Sequence, residues 1–96
     1  MIRPYKIVDV VHSGRKGKRG KKVTAEKYEG IVGCTVLFDI NDIGQFSSMK
    51  FLFKNHPTYD CWSTSEVLAM ATNDDRQVYI ETANSIYIFE PLFDED

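Results

Sequence analysis

Apolar and polar residues alternate along several short segments of the chain. The longest of these segments has apolar or small residues at every second position: Val32, Cys34, Val36, Phe38 and Ile40. A period of two is typical of a β-strand with one buried face. We therefore predict a strand over residues 28–40, preceded by a strand over 5–12 and followed by one over 46–53.

The last part of the chain has the pattern of a β-hairpin. Residues 77–82 and 86–90 both alternate, and Ala83-Asn84-Ser85 between them has the composition of a turn. The segment 63–71 is ambiguous, because Ser63 and Glu66 have the spacing of a helix capping box while its neighbours in sequence are strands. We favour a strand there, since an isolated helix of this length is only marginally stable.

These segments predict one all-β domain over residues 1–96. Ninety-six residues leave no room for a second domain. Five to six short strands joined by turns are typical of a small antiparallel SH3-like barrel or roll. One short helical turn over 24–28 is compatible with this fold, and residues 94–96 form an acidic tail.

Charge is divided unequally along the chain. The net charge is −2, yet residues 14–22, GRKGKRGKK, contain six of the 12 basic residues and no acidic one: Arg15, Lys16, Lys18, Arg19, Lys21 and Lys22. The other residues, six basic and 14 acidic, have a net charge of −8. A basic loop on an acidic domain is expected to attract phosphates, although such a block also occurs as a solvated loop without a ligand.

The glycines of this block do not form a nucleotide-binding P-loop. That loop needs Gly, four residues, and then Gly-Lys followed by Ser or Thr. Gly14, Gly17 and Gly20 have the wrong spacing, and basic residues stand where the Ser or Thr would be. Glycine amides surrounded by cations can still hold phosphates. We therefore predict a phosphate-binding segment at 14–22, as a long loop or the tip of an extended hairpin between the first two strands.

Catalytic and metal chemistry are not expected. His12, Cys34, His56 and Cys61 do not have zinc-finger spacing. Cys34 is predicted to lie on the apolar face of a strand, and Cys61 to be buried beside a tryptophan. We therefore predict no enzyme, no metal and no cofactor.

Tyr59 and Trp62 are predicted to be partly exposed, because each ring carries a polar group. Small barrels use such rings to stack on nucleobases. Core filling is nevertheless the favoured role of the aromatic residues, because a domain of this size needs its large side chains inside.

The sequence has no feature of a membrane protein. No segment has the charged, apolar and small-residue order of a signal peptide, and no apolar run approaches ~18 residues. Two cysteines make at most one disulfide. We expect a cytoplasmic protein with reduced thiols.

Two segments near the C-terminus carry a resemblance to known proteins. They are Trp62-Ser63-Thr64-Ser65-Glu66-Val67 and residues 81–89, ETANSIYIF. Together they give Trp-x-Thr-Ser-x-Val followed by Thr-x-Asn-Ser-x-Tyr, which resembles short, mostly uncharacterised proteins of bacteriophages and of mobile elements in gut bacteria. The resemblance implies a strand over 64–70, a small β-barrel, and an accessory role in the host cell, of which inhibition of host defence is one example.

Two functions fit the sequence best, ahead of a third, a minor virion or assembly component, which would require oligomerisation. The first is a non-enzymatic module that binds a phosphate-rich ligand, either nucleic acid or a nucleotide signal, through residues 14–22. The alternative is an inhibitor that binds a host protein through its acidic surface or a sheet edge. The sequence favours the first function and does not determine an oligomeric state.

Overall fold

Six antiparallel strands close into a barrel in the computed structural model, which describes residues 1–14, 17–23 and 26–94, apart from the side chains of residues 26 and 27. The elements in chain order are β1 (Arg3–His12), α1 (Glu26–Glu29), β2 (Thr35–Phe38), a 3₁₀ turn (Ile40–Asp42), β3 (Ser48–Phe53), β4 (Cys61–Thr72), β5 (Val78–Thr82) and β6 (Ser85–Pro91). Each strand pairs with the next, and β6 pairs with β1 to close the barrel. The predicted small antiparallel barrel is confirmed. Among the residues described, no helix is long and apolar enough to cross a membrane.

Aromatic and β-branched side chains on alternate strand positions fill the barrel. In β3 the buried positions are Met49, Phe51 and Phe53. Phe51 is only 1% exposed, and its ring centroid lies 5.7 Å from that of Phe89 and 6.2 Å from that of Tyr87. Because successive side chains of a strand point to opposite faces, Ser48, Lys50 and Leu52 at the positions between them are exposed.

β4 is long enough to pair with two neighbours. Residues 61–66 pair with β3, and residues 67–72 pair with β5. A register shift between Val67 and Ala69, a β-bulge, divides the two halves. The strand favoured over 63–71 is confirmed, because neighbouring strands provide the backbone partners that an isolated segment lacks.

The strand predicted over 28–40 is wrong in its first half, since only β2 forms there. Tyr28 lies in α1, and two turns follow it. They are closed by hydrogen bonds from Ile31 N–H to Tyr28 O (3.2 Å) and from Cys34 N–H to Ile31 O (3.1 Å). Gly33 adopts φ 89°, in the left-handed region that strand residues do not use. The predicted buried face is also wrong there, since Ile31, from the opposite set, is fully buried while Val32 and Cys34 are only half-buried. Turns rather than a strand direct these side chains, so the two-residue period does not apply to them.

Both cysteines are free thiols and are less buried than predicted. Cys34 precedes β2 and is half-buried, with its Sγ 3.6 Å from Gly30 O. Cys61 is exposed at the start of β4. Strand neighbours point to opposite faces, and Trp62 takes the more inward position, which leaves Cys61 outside.

Phe51 and Phe46 provide a test of where the fold has its stability. Phe51→Ala is expected to lower the free energy of unfolding by about 3–5 kcal/mol, because it leaves a cavity among packed rings. Phe46 is 66% exposed, so Phe46→Ala removes the same atoms with an expected change within about 0.5 kcal/mol. Urea unfolding followed by the fluorescence of Trp62 measures both, and equal losses in the two variants would contradict this description of the core.

Candidate phosphate-binding site

The described residues of the basic block belong to a short hairpin that continues β1. His12 exchanges hydrogen bonds with the returning chain, since its N–H donates to Lys21 O and its O accepts from Gly20 N–H, each at 2.9 Å. A bridge between Val11 and Lys22 extends this pairing. Of the two predicted geometries, the described residues therefore show the extended hairpin. We refer to residues 13–22 as the basic hairpin.

Arg19 fastens the basic hairpin to the barrel wall. Its guanidinium makes a two-point ion pair with Glu81 of β5, Nη1 to Oε2 and Nη2 to Oε1, both at 2.8 Å. Nη1 also donates to Ser13 O at 2.6 Å. Such paired bonds fix the orientation of both side chains. They hold the pKa of the Glu81 carboxyl below its ordinary value and raise the pKa of Arg19. Arg19 therefore has a structural role in attaching the hairpin to β5, and its charge is already paired.

The six predicted cations are consequently not equivalent. Arg15 and Lys16 lie outside the described residues, and Arg19 is already paired. The other three are exposed, and no hydrogen bond or ion pair joins their ammonium groups to the described part of the chain: Lys18, Lys21 and Lys22.

A groove joins the basic hairpin to the aromatic side of the barrel. Its volume is about 230 Å³, and the residues that line it are Val10, Lys22, Val23, Tyr28, Glu29 and Val32. Lys22 thus shares a surface with Tyr28, whose ring centroid lies 5.8 Å from that of Trp62. Proteins that bind single-stranded nucleic acid combine cations for the phosphates with rings for the bases. We call this surface the Lys22–Tyr28 groove.

Tyr59 and Trp62, the two predicted stacking residues, lie in one cluster of rings. Their ring centroids are 5.4 Å apart with planes at 89°, and both side chains are half-buried, which confirms the predicted partial exposure. Trp62 Nε1–H donates to the hydroxyl of Tyr87 at 3.1 Å. Burial raises the pKa of Tyr87 well above its ordinary value, so the hydroxyl stays protonated in alkaline solution as well as at neutral pH. The cluster is therefore held by its own contacts while part of each predicted ring meets solvent.

His56 shapes the loop between β3 and β4, a role that no sequence pattern indicated. Its Nδ1 accepts hydrogen bonds from the N–H groups of Thr58 (3.0 Å) and Tyr59 (2.9 Å). The ring hydrogen therefore lies on Nε2, which is 3.1 Å from Gly30 O. These bonds tie the loop to the turn that follows α1 and keep Tyr59 beside Trp62. In the sequence, Pro57 restricts the backbone of His56, which indicates a break in the chain after β3 but no role for the His56 ring.

Metal chemistry finds no support in the residues that the structure describes. Within them, no group of three or more His, Cys, Asp or Glu side chains comes together. That the chain binds no metal or cofactor and catalyses no reaction stays a prediction.

Comparison with known proteins assigns no family to this chain. No protein-family model matches it, and neither a curated protein nor a solved structure is significantly similar to it. What the site binds must therefore be inferred from its own residues.

The Arg19–Glu81 pair is expected to make stability depend on pH. The pKa of Glu81 is lower in the folded state, so the unfolded state binds more protons as the carboxyl titrates. The stabilisation is thus present above the ordinary carboxyl pKa and is lost as the pH falls through the folded value. The free energies of unfolding of wild type and Glu81→Gln, measured in urea, should differ most near pH ~7 and converge as the pH falls below the lowered pKa of Glu81.

A matched control for this comparison is Glu90→Gln, which makes the same chemical change at an exposed position of β6. Its effect on the free energy of unfolding should be small and should not follow the pH dependence of Glu81→Gln. A difference between wild type and Glu81→Gln that stays constant with pH would contradict the role assigned to the pair.

Proposed function

We propose that this protein is a non-enzymatic binding module that takes single-stranded nucleic acid on the basic hairpin and the Lys22–Tyr28 groove. The observation that carries the proposal is the common groove of Lys22 and Tyr28. It places the exposed Lys22 on one surface with a ring that packs on Trp62 of the Tyr59–Trp62 cluster. A strand whose phosphates lie along the hairpin would bring its bases toward these rings.

Each part of the hairpin has a separate task in this proposal. Lys18, Lys21 and Lys22 are flexible point charges that attract phosphates without reading sequence. Arg19, through Glu81, keeps the hairpin against β5, so that the arm that carries Lys21 and Lys22 stays beside the barrel. A braced hairpin loses less conformational freedom on binding than an unsupported loop, which favours affinity.

The acidic remainder of the chain limits where a polyanion can approach. Outside residues 14–22 the net charge is −8, and negative surface repels phosphates within about a Debye length, ~8–10 Å at physiological salt. Binding is therefore confined to the hairpin side. The resemblance to accessory proteins of phages and mobile elements supports a role in the cytoplasm of a host cell, where nucleic acids are accessible.

Salt dependence tests how many cations take part. With Arg19 retained by Glu81, five cations of the block remain, so log affinity for single strands should fall with log salt with a slope of about −3.5, from about −0.7 per contact. For duplex DNA the corresponding slope is about −4.5. Fluorescence anisotropy with labelled single-stranded DNA, RNA and duplex DNA at several salt concentrations measures these slopes. Absence of binding to all three at low salt would refute the proposed function.

Two matched triple variants distinguish the contribution of the hairpin lysines to binding from the effect of the net charge of the protein. The variant Lys18→Gln, Lys21→Gln, Lys22→Gln should reduce the single-strand slope by about 2. The control Lys6→Gln, Lys50→Gln, Lys54→Gln removes the same charge from exposed positions outside the hairpin and should bind nearly as wild type does. Equal losses in the two variants would show that only overall charge matters.

Tyr28→Leu tests the groove itself. It should weaken binding of single strands by about tenfold and leave duplex binding nearly unchanged, because only unpaired bases are free to stack on a ring. Thermal unfolding of this variant serves as the control for a general loss of structure. Equal weakening for single strands and duplex would exclude stacking in the groove.

A further inference from the structure

One edge of the sheet is open where β4 extends past β3. The pairing of these strands ends near Ser47, whose O accepts a hydrogen bond from Val67 N–H at 2.9 Å. Just beyond, Gln45 Nε2 donates to Leu68 O at 3.1 Å. Residues 69–72 have β5 on one side, and no other described residue gives their backbone a partner on the other side.

Strand alternation identifies the backbone groups along this open edge. Leu68 O points away from β5, because it accepts its hydrogen bond from Gln45, on the other side of β4. Asn73 N–H points toward β5, because it donates to Gln77 O at 3.1 Å. Backbone groups of an antiparallel strand alternate between its two sides, so the N–H and C=O groups of Met70 and Thr72 point away from β5, whether one counts from Leu68 or from Asn73. They offer two donors and two acceptors at the spacing of an extended chain.

A groove beside the open edge is ready to receive side chains. Met70 lies opposite Ile80, on the core side of the sheet, yet it is 46% exposed because no strand covers it. The groove has a volume of about 380 Å³, and the residues that line it are Ile43, Gln45, Val67, Leu68, Ala69 and Met70. Strand addition derives affinity from main-chain hydrogen bonds and specificity from pockets for alternate side chains. Both features are present here.

The charges around the edge indicate which strand it would take. Natural proteins usually protect edge strands with lysine or proline, but residues 67–72, VLAMAT, contain neither. Exposed carboxylates flank the segment, with Glu66 before it and Asp74 and Asp75 after it, while Arg76 lies over an aromatic ring at 5.5 Å. Two copies paired antiparallel about Met70 would place Asp74 opposite Glu66 of the other copy, and like charges in that position repel.

We propose that the open edge at Met70 and Thr72 binds an extended basic segment of a partner protein as an added β-strand. One apolar side chain of the partner enters the groove beside Met70, and a lysine or arginine lies near Asp74 and Asp75. The strand occupies the edge and the core side of β4. The added strand does not cover the outer face of β4, where Arg19 of the basic hairpin lies near Ala69. The inference does not depend on the proposed phosphate site.

The probe for this test is a fluorescein-labelled peptide of alternating valine and threonine flanked by lysines, compared with the same peptide flanked by glutamates. Wild type should bind the lysine peptide at least about tenfold more tightly than the glutamate peptide. In ¹⁵N-resolved NMR spectra, the amides of Met70 and Thr72 should show the largest shifts. No binding of the lysine peptide, or equal binding of the two peptides, overturns the proposal.

Two variants and one control complete the test. Thr72→Pro removes an outward N–H, a change that edge strands tolerate, and Met70→Lys puts a charge into the groove. Each should weaken binding of the lysine peptide by about tenfold or more. Leu92→Lys makes the same change of charge at a residue with the same 46% exposure outside the groove and should bind as wild type does. Met70→Lys keeps every backbone group, so it decides the matter if Thr72→Pro fails to fold.

If Met70→Lys and Leu92→Lys bind the peptide equally, the groove is not the site and the proposal fails. Analytical ultracentrifugation of the wild type over a range of concentrations provides the remaining outcome. A monomer is expected. A dimer that Thr72→Pro abolishes would show that a second copy of this chain occupies the edge, and it would overturn the proposal of a basic partner protein.

Discussion

The pairing of β1 with β6 is the constraint on which the rest of the structure depends. It runs from Tyr5 opposite Pro91 to His12 opposite Ser85, with a register shift between Ile7 and Asp9. This pairing closes the sheet, so that strands at both ends of the sequence cover each other's backbone groups. Because β1 continues to His12, the same strand also supports the returning arm of the basic hairpin. The position of the lysines is therefore a consequence of how the barrel closes.

Polar groups inside the barrel are satisfied locally, which lets a small core remain closed. The hydroxyl of Thr82 accepts from Ser85 N–H at 3.1 Å and donates to Ser85 O at 2.8 Å, closing the tight turn between β5 and β6. Trp62 Nε1–H donates a hydrogen bond to the buried Tyr87 hydroxyl. Among the described residues, no buried side-chain nitrogen or oxygen lacks a hydrogen bond. An unpaired group here would cost about 1–3 kcal/mol, a large share of the stability of a domain this size.

The barrel separates two kinds of surface by charge and by chemistry. On the hairpin side, Arg19 is neutralised by Glu81, and the lysines beside it are exposed. At the open edge of β4, uncharged backbone and an apolar groove lie between carboxylates. A molecule with a net charge of only −2 can thus have surfaces of opposite local charge, and it is the local field rather than the total charge that an approaching molecule meets.

By itself, the sequence determined which residues form strands where alternation is regular, as in β3, β5 and β6, and it located the basic block. Strand formation and local charge depend on residues that are only a few positions apart in the sequence, so a local sequence pattern is enough to predict them. Only the tertiary structure decided that Arg19 pairs with Glu81, 62 residues away, that Ile31 reaches the core from a turn, and that Cys61 faces out. It also decided that Met70 is uncovered. Whether a strand edge has a neighbour depends on how far the adjacent strand extends, and that length is set by the packing of the whole barrel.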